Sequence, residues 1–344
     1  MVGERPMTTS HGPDGGANGT PALPEWLLRS LACPACHAPL RWSGDAVCCG
    51  CARRYPLVDG IPVLLPAGCI GLGHSDTPEE HKLHQAAHFD HAVTPAFEVE
   101  RPHGAPALYR FLIGQKLRRS IRALRPLLPG ATVLVVCGGS GMEAEFLARL
   151  GARVVCSDIS LGAARRAVER ARRHGVPITA LVADVEYLPF ADQSIDVVYV
   201  HDGLHHLGEP VRGLREMARV AARALSVNEP ARAAMTRLAV CLGWARMHEE
   251  AGNAVTRLAR AAVAAELAAH GFAVVHTERY AMSYRHEPGR IMTALSRRGL
   301  LTLAITAWWL LNALIGRVGN KLTVQAVRRP CNRRMLGYTR ISAG

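Results

Sequence analysis

TVLVVCGGSGMEAEFLARLGARVVCSDIS, residues 132–160, is the stretch on which the fold turns. Its apolar run over 133–136 breaks into Gly138, Gly139, Ser140 and Gly141, then resumes with Met142, Phe146, Leu147 and Leu150 at helical spacing. That pattern predicts a strand, a tight glycine turn and a helix. A second apolar run, 153–156, ends in Ser157 and Asp158, which places a carboxylate at the carboxyl end of the next parallel strand, where open α/β sheets bind ligands. The arrangement suits a nucleoside, with main chain approaching closely at the glycine turn and ribose hydroxyls on Asp158. Dinucleotide-binding folds use the same physics, so the decision rests on the residues downstream of Asp158.

Next come a helical pattern over 161–174, a third apolar run over 178–183 closed by Asp184, and then LPFADQSIDVVYVHDGLHHL, residues 188–207. At this point the chain resembles the class I S-adenosylmethionine-dependent methyltransferases, over roughly 108–328. The resemblance implies an α/β fold with a doubly wound, Rossmann-like, seven-stranded and mostly parallel sheet. It further implies that Asp158 holds the ribose hydroxyls and that Asp184 accepts from the adenine amine. Cys137, Gly138, Gly139, Gly141, Ile159, Val185 and His201 would complete the cofactor contact. The glycine loop departs from the family: there it reads Asp-x-Gly-x-Gly-x-Gly, whereas these positions here are Val135, Cys137, Gly139 and Gly141. Either Glu143 or a water takes over the task of the missing acid, or affinity is lower.

The fourth strand, expected over 195–200, ends at His201, Asp202, His205 and His206. Side chains here face the transferred methyl group, so His201 or His205 is the candidate general base; the competing reading is a structural role beneath the cofactor. A helix over 211–224, a short strand over 225–227 and a loop with Glu229 facing the acceptor are expected to come after it. Two helical insertions, 231–270 and 281–320, then precede and separate the last strands, 272–280 and 321–328, which the resemblance pairs antiparallel. The first insertion contains HEEAGN, 248–253, and the second an apolar stretch, 299–316, at the lower limit of a membrane span. A single span is rejected, because it would put two strands of one sheet on opposite sides of a bilayer. A buried helix, a lid or an interfacial helix remains.

Ahead of the core, 1–22 reads as a disordered polar tail without a secretory signal, and 23–66 as a small zinc domain. Cys33 and Cys36 form one CxxC knuckle, and Cys48 and Cys51 another. Four thiolates give tetrahedral Zn²⁺ with no open position, hence a structural site. Cys49 competes with Cys48 for the register, and Cys48 restores the two-residue spacing. This segment resembles the zinc-ribbon family that activates RNA and protein methyltransferases as a separate subunit. The linker 67–107 carries His74, His81, His84, His88, His91 and His103 and reads as a mobile cap over the active site. A helix over 108–124 comes next, with Lys116 and five arginines taken as a solvated face. The last segment, 331–344, is a tail.

The chain has 344 residues and a formal charge of +13, which favours anionic partners, although arginine is spread over many helices. A small, largely apolar acceptor such as a lipid, quinone or secondary metabolite is the first expectation. An RNA-base methyltransferase is the alternative; aromatic residues, at 5%, are sparse for base stacking. A third reading is a non-catalytic methyltransferase-like binding protein. The expected setting is the cytoplasm, with peripheral membrane contact through 299–316; the oligomeric state is open.

Overall fold

The computed structural model describes residues 23–66, 82, 86–87, 90, 94–231 and 258–330. The expectations for 1–22, His74, His81, His84, His88, His91, 248–253 and 331–344 lie outside these residues.

At the centre is strand β6 (Thr132–Val136), buried at every position. Leu134 and Val136 feed one apolar core and Val133 and Val135 the other, because alternate side chains leave a strand on opposite faces. A strand apolar on both faces is stable only when helices cover both sides of the sheet. Parallel neighbours lie on either side: β7 (Arg153–Asp158) continues to β8 (Ile178–Ala183), and β9 (Ile195–His201) continues to β10 (Ala221–Pro230). After β8 the chain crosses back over β6 to reach β9, so a crevice opens at the carboxyl ends of β6 and β9. The antiparallel pair is β11 (Phe272–Tyr280) and β12 (Lys321–Arg328), with β12 inserted beside β10.

Strand β10 starts at Ala221 rather than 225, and the preceding helix stops at Val220. The Ala-rich turn favours helix by propensity, but main-chain pairing to β9 on one side and β12 on the other overrides it.

The amino-terminal segment contains helix α1 (Glu25–Ser30), the hairpin β1 (Leu40–Ser43) and β2 (Asp45–Cys48), and the short strands β3 (Arg54–Tyr55), β4 (Leu57–Val58) and β5 (Ile61–Leu64). It is more than a tethered module. Strand β5 pairs in parallel with β8, so the seven strands of the core become a nine-stranded sheet. Leu27, Leu31, Cys33, Tyr55 and Leu64 join the same apolar cluster as Val198 and Val200. So small a segment gains its core by sharing one.

Candidate functional site

The glycine turn is pressed against β7. Gly138 N donates to Ser157 O at 2.9 Å, and a Cβ at Gly138 would stand 2.5 Å from Cys156 Sγ. Cys137 (φ 51°), Gly139 (φ 50°) and Gly141 (φ 79°) all adopt left-handed backbone; at the non-glycine Cys137 this is strained. Asp158, at the tip of β7, closes the turn: its Oδ2 accepts from Gly139 N at 2.9 Å and its Oδ1 from Ser160 N at 3.0 Å. Burial pushes the Asp158 carboxyl up, and the two amides oppose that.

Asp184 stands just beyond β8. Its Oδ1 accepts from Glu186 N at 2.9 Å, while Oδ2 meets Lys82 Nζ at 2.6 Å. Burial raises this carboxyl too, against the pull of Lys82. Asp158, Asp184, Cys137, Gly138, Gly139, Ile159, Val185 and His201 all line one cavity of about 670 Å³. Gly141 sits behind it, where an added Cβ would come within 3.2 Å of Ala167 Cβ; its absence lets the turn seat on the helix after β7.

His201 ends β9 with a directed hydrogen-bond chain. Ser120 Oγ donates to Leu117 O at 2.8 Å and Tyr199 OH donates to Ser120 Oγ at 2.7 Å, so the 2.8 Å contact between Tyr199 OH and His201 Nδ1 has the imidazole as donor. Nε2 therefore keeps its lone pair, and it has no hydrogen-bond partner among the described residues. Burial, reinforced by the Lys116 ammonium, holds His201 well below the usual histidine range, so the ring is neutral.

His205 is different. Its ring, buried like that of His201, does not line the cavity; Nδ1 meets Glu229 Oε2 at 2.7 Å. Glu229 Oε1 also accepts from Gly203 N at 3.0 Å and Leu204 N at 2.8 Å, which pins the loop after β9. The expectation that Glu229 faces an acceptor is thereby corrected: the loop's orphan amides claim its carboxylate.

A second correction concerns Lys116. It lies in helix α3 (Ala107–Ser120), and instead of sitting on a solvated face it is buried, with Nζ 3.1 Å from Asp202 Oδ2. Lys321 Nζ takes Asp202 Oδ1 at 2.6 Å. Burial alone would raise the Asp202 carboxyl, but the two ammonium groups hold it well below the usual range. Position 116 comes after Leu108 and Leu112 at intervals of four, on the apolar stripe itself, and that spacing was the available signal. Glu143 lines the same wall, with Oε1 3.8 Å from Lys116 Nζ, where a substitute for the missing loop acid was expected.

The far wall comes from helix α2 (Pro95–Glu100) and the chain after β11: Glu98, Arg101, Tyr284 and His286. Glu98 binds Ser140 Oγ at 3.0 Å, Arg101 at 3.1 Å, and His286. Burial pushes its carboxyl up, but these partners bring it down to about 2. None of these four residues carries a local sequence signal, because only the tertiary fold brings them to the cleft.

Away from the cleft, the Sγ atoms of Cys33, Cys36, Cys48 and Cys51 all lie within 4.8 Å of one another. The pairs Cys33–Cys51 and Cys36–Cys48 are 3.7 and 3.4 Å apart, against ~3.8 Å for sulfurs at ~2.3 Å around a tetrahedral ion. Cys49 is outside the cluster, and Cys48 is in it. Amides of Gly50 and Cys51 point at Cys48 Sγ, each at 3.3 Å. Burial raises the Cys48 thiol, yet these donors leave it at about 6. The donor set fits a thiophilic cation.

Residues 134–224 match the methyltransferase domain family. The chain is 42% identical over 103 residues to the demethylmenaquinone methyltransferase of Corynebacterium urealyticum, spanning 30% of this chain and 42% of that protein. To the ubiquinone/menaquinone biosynthesis C-methyltransferase of Bordetella avium it is 32% identical over 161 residues, 45% of this chain and 59% of the relative. Each match thus spans less than two thirds of the relative. Among solved structures, the magnesium protoporphyrin IX methyltransferase of Synechocystis PCC 6803 is 18% identical, with a TM-score of 0.49 over 72% of this chain and 100% of that one. The glycine turn, Asp158, Asp184 and His201 all lie within the residues that match the methyltransferase domain family.

Proposed function

We propose that the chain transfers the methyl group of S-adenosylmethionine to a small, quinone-type ring acceptor. The observation that carries this reading is the placement of Asp158 and Asp184, from neighbouring strands, on one cavity with the glycine turn. The turn's main chain and Asp158 would grip the ribose, and Asp184 the adenine amine. The acceptor class is supported by the relatives' quinone acceptors and by a cavity that mixes Met142 and Tyr284 with charged groups.

The bound cofactor supplies an electrophilic methyl carbon on a sulfonium, so the chain's residues need mainly to align the acceptor and take up its proton. His201 Nε2, neutral and with its lone pair free, would accept the proton of an acceptor hydroxyl. Lys116, whose charge is fixed by Asp202, would favour the oxyanion so formed, which activates the adjacent ring carbon. In the amino-terminal segment, Cys33, Cys36, Cys48 and Cys51 would hold one structural Zn²⁺. Calorimetric titration with S-adenosylmethionine, followed by transfer of labelled methyl to a demethylated quinol, tests the proposal. Absence of cofactor binding at millimolar concentration would overturn it in favour of a non-catalytic role.

A further inference from the structure

Helices α8 (Arg290–Leu295) and α9 (Arg298–Ile315) occupy the segment between β11 and β12. The α9 side chains at 301, 304, 305 and 308 pack inward against Leu108, Leu112 and Met282, and Trp308 is the one buried residue of the helix. Its outward face is where a water-soluble helix would be polar. Here that face carries Leu300, Leu303, Trp309, Leu310, Leu311 and Leu314, between 45% and 82% exposed, and 299–316 contains no charged residue. Ile291 on α8 adds a side chain 79% exposed.

Arginines frame this patch. Arg297 and Arg298 are exposed at the start of α9, Arg317 just beyond its end, and Arg290 at the start of α8. Seating a second copy on the same face would bring these cationic rims together, whereas an anionic lipid surface would take the apolar strip into its acyl boundary and the arginines among its headgroups. We infer that α9 and Ile291 form an interfacial docking surface for a bilayer leaflet rich in anionic lipid.

Although α9 with the turn after it is long and apolar enough to cross a membrane, it does not span one. Tyr280 at the end of β11 pairs directly with Lys321 at the start of β12, so the segment leaves and re-enters the sheet at one point. Asn312 fixes the helix there, its side-chain amide bonded to Ala281 N at 2.9 Å and Ala281 O at 3.1 Å. The helix lies along the domain with its outer face uncovered among the described residues.

The patch is also continuous with the cavity. Tyr284 and Met292 pack both against the cluster under α9 and against the one containing Met142, and Tyr284 and Met142 line the cleft. An apolar acceptor dissolved in the leaflet would thus meet side chains of its own polarity between membrane and cleft. This consequence rests on the proposed function; the docking does not.

The test uses the full chain and sedimentation with phosphatidylcholine vesicles, with and without ~30% phosphatidylglycerol, in the absence of cofactor. The expected result is binding to anionic vesicles that weakens at least about tenfold in 0.5 M salt or on neutral vesicles. A Leu303→Glu/Leu310→Glu/Leu314→Glu variant, matched to wild type in circular dichroism and oligomeric state, is expected to lose binding. Failure of the wild type to sediment, or full retention by the variant, would overturn the inference. So would conversion of a wild-type dimer to monomer by the same substitutions, because the face would then belong to a second copy.

Discussion

Lys82 Nζ lies 2.6 Å from Asp184 Oδ2, and Lys82 also pairs with Glu186. The carboxylate assigned to an adenine amine is thus already engaged by a cation from the segment preceding the core. Asp90, from the same segment, accepts from Ser160 Oγ at 2.6 Å and Gly162 N at 2.7 Å, beside Asp158. Lys82 thus touches one acid of the cleft, and Asp90 holds the turn that follows the other.

Cofactor binding and the Lys82 pair compete for one acceptor. Lys82→Ala is expected to tighten S-adenosylmethionine binding by about three- to tenfold, the scale of one charged hydrogen bond partly offset by burial of the freed carboxylate. Isothermal titration of both proteins decides it. Weaker binding by the variant would make Lys82 part of the binding surface instead.

Asp158 and Asp184 predict an unusual pH dependence. Burial raises both carboxyls, so the folded chain binds more protons than the unfolded one between the ordinary carboxylate range and the raised values. Their contribution to stability falls as pH rises through that window. Cofactor binding runs the other way, because the ionised carboxylates are the stronger acceptors. The dissociation constant should rise as pH falls through the raised carboxylate range, above the ~3.9 of an unperturbed aspartate, by up to about tenfold per unit and group. Asp158→Asn should weaken binding at neutral pH and flatten the profile.

Much of this site was legible because strand, glycine turn and terminal acid are local signals. The run 132–160 contains Asp158 and the turn it closes, and the bond from Gly139 N to Asp158 joins two points of that one run. What escaped is non-local. Ile61–Leu64 looks like the last strand of a small domain, and nothing in its four residues says that it pairs with β8. Lys116 was hidden by its type: lysine reads as solvent-facing, although its helical position was apolar. Glu98 and Lys82 reach the cleft only through the path of the chain between distant elements.

The β5–β8 pairing couples the thiol cluster to the cleft. Leu64 pairs with Ala183, the residue before Asp184. Purified protein should carry about one zinc per chain. Chelation or Cys33→Ser should lower the melting temperature by on the order of 10 °C. It should also weaken cofactor binding through the strand that positions Asp184. Cys49→Ser, outside the cluster, should keep its zinc. Full metal content in Cys33→Ser, by elemental analysis, would remove the assignment.

His201 and His205 should separate cleanly by experiment, since one has a free lone pair beside the cavity and the other is committed to Glu229. His201→Gln is expected to lower kcat by about 10²- to 10⁴-fold, the range for loss of a positioned base, with cofactor affinity within about twofold of wild type. Because burial holds His201 far below the usual range, wild-type kcat should stay flat across the pH where an ordinary histidine titrates and fall only in more acidic solution, as the ring gains its proton. His205→Ala should instead leave the Glu229 carboxylate buried without its imidazole, which costs about 2–4 kcal/mol of stability. It should also loosen the loop at Gly203 and Leu204, so its effect appears in both melting temperature and cofactor affinity. If His201→Gln lost stability but kept kcat, the base would have to be sought elsewhere on the wall, where Glu143 and Asp202 are carboxylates of the same cavity.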